Sequence, residues 1–142
     1  KLNLTISLDL LSFLIGIGSL KKFIISGSCF ELNRANGECM ESEIGTPMDN
    51  FTWAKHVIRS WLEMSSVEHQ IAIGWLRIFY VYGPGQRSTS LIPRILNDFK
   101  ADLLPQLKTP KNANDFVFIE DVASSGTEII LSNTYHLMII LK

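Results

Sequence analysis

Cysteine is nearly missing from these 142 residues: Cys29 and Cys39 are the whole supply. Two thiols cannot build a disulfide framework, so a reducing, cytoplasmic setting is expected. Three histidines, His56, His69 and His136, stand apart without ligand spacing, and no metal site is expected. An excess of charge of one sign is lacking too. Thirteen basic residues face fourteen acidic ones for a net charge of -1, and the basic ones are scattered. That excludes nucleic acid as the expected partner, since a phosphate backbone is met by a clustered basic stripe. A continuous apolar run of the ~20 residues a membrane span needs is absent as well. Residues 4–20 come nearest, but they carry Asp9, Ser7, Ser12, Ser19, Gly16 and Gly18. Their polar positions Thr5, Asp9, Ser12, Gly16 and Ser19 recur at steps of four and three. This predicts a helix with one narrow polar stripe, buried on its other sides, rather than a membrane anchor. A glycine-rich phosphate loop is also missing. The G-x-G strings are Gly16-Ile17-Gly18, which leads from a helix into a strand, and Gly83-Pro84-Gly85, whose proline has no N–H to offer.

What is present reads as one domain of alternating helices and strands, long enough to bury roughly 70% of its unfolded surface. After the first helix, Lys22 to Ser28 is a short apolar run between turn signals, a buried strand. Residues 31–49 hold Glu31, Glu38, Glu41 and Glu43 with Pro47, and predict a solvated loop. Asp49 or Asn50 can cap a second helix carrying Trp53, Val57 and Trp61 at helical spacing, with Ala54, Ile58 and Leu62 beside them. Ile71 to Val81 is almost continuously apolar, as a central parallel strand covered on both faces should be. A third helix is predicted over Leu91 to Leu103, a strand over Asp115 to Ile119, a fourth helix over Glu120 to Leu131 and a further strand in the tail from Tyr135. Two core parallel strands with right-handed crossovers and flanking helices follow, an α/β fold.

Several short strings recur in an ordered series. Asn3 precedes Leu8 and Leu10-Leu11; Lys21-Lys22-Phe23-Ile24 runs into Gly27-Ser28; Phe51 and Lys55 stand four apart. Leu76-Arg77-Ile78-Phe79 leads into Tyr82-Gly83-Pro84, and Asp115-Phe116-Val117 into Asp121-Val122-Ala123. In this order the chain resembles the later part of an NAD-dependent epimerase/dehydratase of the extended short-chain dehydrogenase type, from Asn3 to about Leu131. The resemblance implies a partial Rossmann-like parallel sheet that lacks the first strands and the Gly-rich loop. It implies a single partial NAD(P)-binding domain over residues 1–142, with about 88–114 drawn from the substrate-binding region. It also implies a nucleotide-sugar substrate, NAD or NADP as cofactor, and a homodimer as the assembly.

The chemistry behind the spacing is simple. Hydride transfer at a sugar carbon needs a proton to leave or join the neighbouring oxygen. A phenol with a pKa near 10 is a poor base until an ammonium one helical turn away favours the phenolate. By resemblance, Ser28 polarises the reacting oxygen, Lys55 also holds the nicotinamide ribose, and Asn3 and Phe79 line the cofactor. Phe51 stands where the family has its Tyr, and a phenyl ring has no proton to give. Cys29-Phe30 occupy the positions of the dehydratases' Asp-Glu pair, so an epimerase or keto-sugar reductase is the member implied. Tyr80 and Asn114 stand where many relatives place an Asn and an Arg. Cys29 has no His or acid beside it and reads as a buried free thiol; Asp121 reads as a first-turn acid. The expected function is therefore hydride transfer in an NAD(P)-dependent nucleotide-sugar epimerase or reductase, with negligible turnover in this chain. The alternative is a non-catalytic truncated or pseudoenzyme chain acting by association.

Overall fold

The computed structural model describes residues 2–32, 38–133 and 136–141. Its elements run α1 (Leu2–Gly16), β1 (Lys22–Ser26), a 3-10 turn (Cys29–Leu32), α2 (Asn50–His69), β2 (Ala72–Ile78), β3 (Tyr80–Tyr82), α3 (Leu91–Lys100), β4 (Phe116–Phe118), α4 (Ile119–Leu131) and β5 (His136–Leu141). Every strand pairing is parallel, and the fold is α/β with helices flanking the sheets.

Three strands form the main sheet in the order β1-β2-β5, so the further strand expected in the tail joins the two expected core strands. Phe23 lies opposite Ile73 and Ile25 opposite Trp75 on one side of β2, while Trp75 lies opposite Met138 on the other. The long apolar run does not stay in one sheet. It breaks at Phe79, whose N–H donates to the Leu141 carbonyl at 3.0 Å, and Tyr80–Tyr82 then pairs with β4 in a separate two-stranded sheet.

β2 is buried on both faces for a reason its side chains give. Ile73 and Trp75 pack with Leu11 of α1 and with Ile58 and Leu62 of α2 to form the core. On the opposite face Gly74 lets Ile24 and Ile129 approach: a Cβ there would lie 3.2 Å from Ile24 and 3.3 Å from Ile129. Lys22 ties that side down by donating to the carbonyls of Ile129 and Ser132 at the end of α4.

α2 starts where the sequence places it. Asp49 accepts the Thr52 N–H at 2.7 Å, and the Thr52 hydroxyl accepts the Asp49 N–H at 3.2 Å, a reciprocal capping box. The helix turns its Ile58 and Leu62 row inward, whereas Trp53 remains 52% exposed. α1 corrects an expectation. Leu11 is buried, but Ile6, Leu10, Phe13 and Ile17 are all more than half exposed. Its helix meets α2 along one side only, and among the described residues nothing covers the other. No described helix is long and apolar enough to cross a membrane.

Candidate functional site

The candidate site forms at the carboxyl end of β1, where α/β sheets commonly bind ligands. β1 stops at Ser26 because the chain turns: the Gly27 N–H donates to the Leu76 carbonyl at 2.6 Å, and a 3-10 turn begins at Cys29. Gly27 is required for contact rather than for backbone freedom. A Cβ there would collide with the Trp75 indole nitrogen and the Glu31 carboxylate.

Ser28 is buried, and its Oγ accepts the Phe30 N–H at 3.3 Å. Lys55 reaches back from α2 and donates from Nζ to the Ser26 carbonyl at 2.6 Å. The same Nζ lies 5.9 Å from the centre of the Phe51 ring, one turn earlier on the helix. Burial pulls the Lys55 pKa below the ordinary lysine value, and the Glu31 charge partly opposes that fall. Phe51 is 52% exposed, so it is not a core residue.

The structure thus brings Lys55 to Phe51 and to the strand end two residues before Ser28. Phe79 follows β2 in the short break before β3, half-buried. Asn3 falls within α1, and its side chain lies outside the described residues. Cys29 is free and half-buried; burial first of all raises its thiol pKa, which makes it a poor nucleophile. Asp121 sits with Glu120 in the first turn of α4.

Glu31 overturns the reading of residues 31–49 as a uniformly solvated loop. It is 5% exposed, and its carboxylate accepts from the Ser28 N–H at 2.6 Å and from the Trp75 indole N–H at 3.1 Å. Arg59 and Arg77 approach the same carboxylate at 3.7 Å and 3.9 Å. Arg77 is fully buried and donates to the Glu41 carbonyl at 3.1 Å. Burial, and after it the charge of Arg59, lowers the Arg77 pKa. A signal for this cluster was present in the sequence, since a lone arginine in the apolar run from Ile71 to Val81 needs a buried counter-charge. Which acid answers it is not legible from spacing.

Aromatic rings join the turn to the second sheet. Phe30 packs edge-on to Tyr80 with centroids 5.9 Å apart, and Tyr80 packs against Phe116 at 5.7 Å. Burial raises the Tyr80 pKa, so its phenol is held neutral. Among the described residues, no three His, Cys, Asp or Glu side chains gather as a metal would need.

An ammonium carries three donors, and the described structure commits one of those on Lys55, to Ser26, which leaves donors for the hydroxyls of a ligand. The glycine-rich turn that would meet a pyrophosphate does not occur in these 142 residues.

Solved structures of known proteins share this fold. The UDP-N-acetylglucosamine 4-epimerase of Methanobrevibacter ruminantium, solved with UDP-N-acetylmuramic acid, is 22% identical at a TM-score of 0.81, over 95% of this chain and 45% of its own. The UDP-glucose 4-epimerase of Thermotoga maritima, solved with UDP-glucose, is 22% identical at a TM-score of 0.80 with the same coverages of 95% and 45%. An NAD dependent NDP-hexosamine 5,6-dehydratase involved in tunicamycin biosynthesis is 25% identical at a TM-score of 0.71, over 98% of this chain and 46% of its own. The chain therefore spans less than half the length of these structures. No curated protein sequence gives a significant match. The model of the NAD dependent epimerase/dehydratase family matches residues 1–132, nearly the whole sequence. The chain belongs to that family.

Proposed function

We propose that the chain carries the sugar-facing side of an NAD- or NADP-dependent nucleotide-sugar epimerase or reductase, with its proton carrier replaced by Phe51. The observation that carries this reading is the Lys55 ammonium, held 2.6 Å from the Ser26 carbonyl and 5.9 Å from the Phe51 ring. Ser28 donates its hydroxyl hydrogen to the reacting sugar oxygen. Lys55 binds the nicotinamide ribose hydroxyls through its two uncommitted hydrogens, and Asn3 and Phe79 line the same cofactor. When bound, the nicotinamide supplies the hydride acceptor. Residues 88–114, which include α3, belong to the substrate-binding region; α3 has no buried residue and is free to face a ligand or a further segment.

With a phenyl ring at position 51 no proton moves there, and turnover is negligible. The experiment joins the chain to the glycine-rich nucleotide-binding half of a related epimerase and assays UDP-sugar turnover as found and as Phe51→Tyr. The hydroxyl should raise turnover by about 10²–10⁴-fold. Equal and substantial turnover in both proteins overturns the assignment of position 51.

A second, non-catalytic reading is association. Ile6, Leu10, Phe13 and Ile17 follow one another at steps of four, three and four, and all are exposed. That spacing is one apolar face of α1 continued by Ile17 in the turn after it, suited to a second copy in a homodimer. Calorimetric titration of the 142-residue chain with NAD separates the readings, because micromolar affinity speaks against a purely associative role. Light scattering reports the dimer, and a monomer at micromolar concentration removes it.

A further inference from the structure

The Glu31 carboxylate divides its two oxygens between two jobs. Oε1 takes the Ser28 N–H at 2.6 Å, and the turn is closed again by the Glu31 N–H on the Ser28 carbonyl at 3.1 Å. Oε2 faces the scaffold: the Trp75 indole N–H at 3.1 Å, Arg59 at 3.7 Å and Arg77 at 3.9 Å. Trp75 and Arg77 project from β2 and Arg59 from α2, so one carboxylate locks the turn to two elements that do not themselves belong to it. Hydrogen bonds to an ionised acceptor are stronger than those between neutral groups, more so where water is excluded.

The Ser28 hydroxyl gains its direction from this lock. Its oxygen accepts from the Phe30 N–H at 3.3 Å, and Phe30 lies inside the turn that Glu31 closes. A serine hydroxyl whose oxygen accepts a hydrogen bond keeps its own hydrogen to donate, and an oxygen ligand would take it. We propose that Glu31 is a positioning residue: it fixes the Ser28 turn against β2 and α2 and so aims the Ser28 hydroxyl as a donor into the site. This deepens the reading of Ser28 given above and depends on it for its functional meaning. The same carboxylate also opposes the effect of burial on Lys55, so its charge reaches both polar site residues.

The test is amide hydrogen exchange and nitrogen-15 NMR on the 142-residue chain, with no ligand required. In Glu31→Gln, the Ser28 amide should exchange about tenfold faster than the change seen across the β2 amides, because its charged acceptor is gone. The Trp75 indole resonance should shift with it. Leu62→Ala serves as the control, since a general loss of stability speeds all core amides together. Trp75→Phe keeps the carboxylate but removes its neutral anchor, and should also release Ser28 selectively; it decides the matter if Glu31→Gln does not fold. Ser28 exchange that rises only in step with the β2 amides overturns the proposal. A UDP-sugar titration of the wild-type chain, followed through the Ser28 and Trp75 signals, reads the functional assignment separately: silence there removes the ligand reading while the exchange result still stands.

Discussion

Lys55 and Ser26 meet across 29 residues of chain, the ammonium of one donating to the carbonyl of the other at 2.6 Å. This contact bolts the first turns of α2 to the end of β1 and sets the Lys55 head group beside Phe51. Lys55→Met keeps the aliphatic stem, which packs in the same slot, and removes both the hydrogen bond and the cost of burying the charge. These changes oppose each other, so the melting temperature should hardly move. NAD affinity of the chain joined to a nucleotide-binding half should fall by about tenfold or more. Calorimetry on both proteins checks it, and unchanged affinity would dismiss Lys55 as a ribose ligand.

Glu31 and Arg77 form a buried pair of opposite charge at 3.9 Å. Removing one partner strands the other without water. Glu31→Ala should therefore lower the unfolding free energy by about 3–5 kcal/mol, as read by urea denaturation. Glu31→Leu combined with Arg77→Met should cost clearly less than the two single changes added together, because neither charge is then left alone.

Leu62 is 3% exposed and sits in the core with Trp75 and Ile58, whereas Val67 further along the same helix is 77% exposed. Leu62→Ala should cost about 2–5 kcal/mol through lost burial and the cavity left behind. Val67→Ala should stay within about 0.5 kcal/mol. Similar losses from both would mean that α2 is rotated from the position described.

Asp49 caps α2, and its pKa is lowered first by the Thr52 N–H and then by the Thr52 hydroxyl. A depressed carboxylate pKa means that the folded state favours the ionised form. The stabilisation is complete above the ordinary aspartate value and is lost as pH falls through the lowered one. Acid titration followed by helical circular dichroism should show a loss below about pH 4 whose profile Asp49→Asn changes, because an amide cap does not titrate. An identical acid transition in both proteins would count against the cap as its source.

Much of the fold is legible in the sequence because local rules and tertiary demands agree there. The capping pair Asp49 and Thr52 starts α2 where expected, and the apolar run after Ile71 becomes a central strand covered on both faces. The ends differ for tertiary reasons. Apart from Arg77 the run from Ile71 to Val81 is apolar, so nothing local marks Phe79 as the point where the chain leaves one sheet for another; pairing with Leu141 and Phe116 decides it. The α1 stripe misleads similarly, since apolar periodicity reports that a face can be covered but not what covers it.

Residue identity alone settles the family, whose model matches residues 1–132, and the ring at position 51 has no hydroxyl in any conformation. Covalent chemistry of that kind is independent of folding. Only the folded chain decides that Glu31, one of four glutamates in a polar stretch, is the one taken out of water. It is selected because the turn after Gly27 carries it over Trp75, Arg59 and Arg77, and a buried guanidinium accepts whichever carboxylate the backbone delivers within reach.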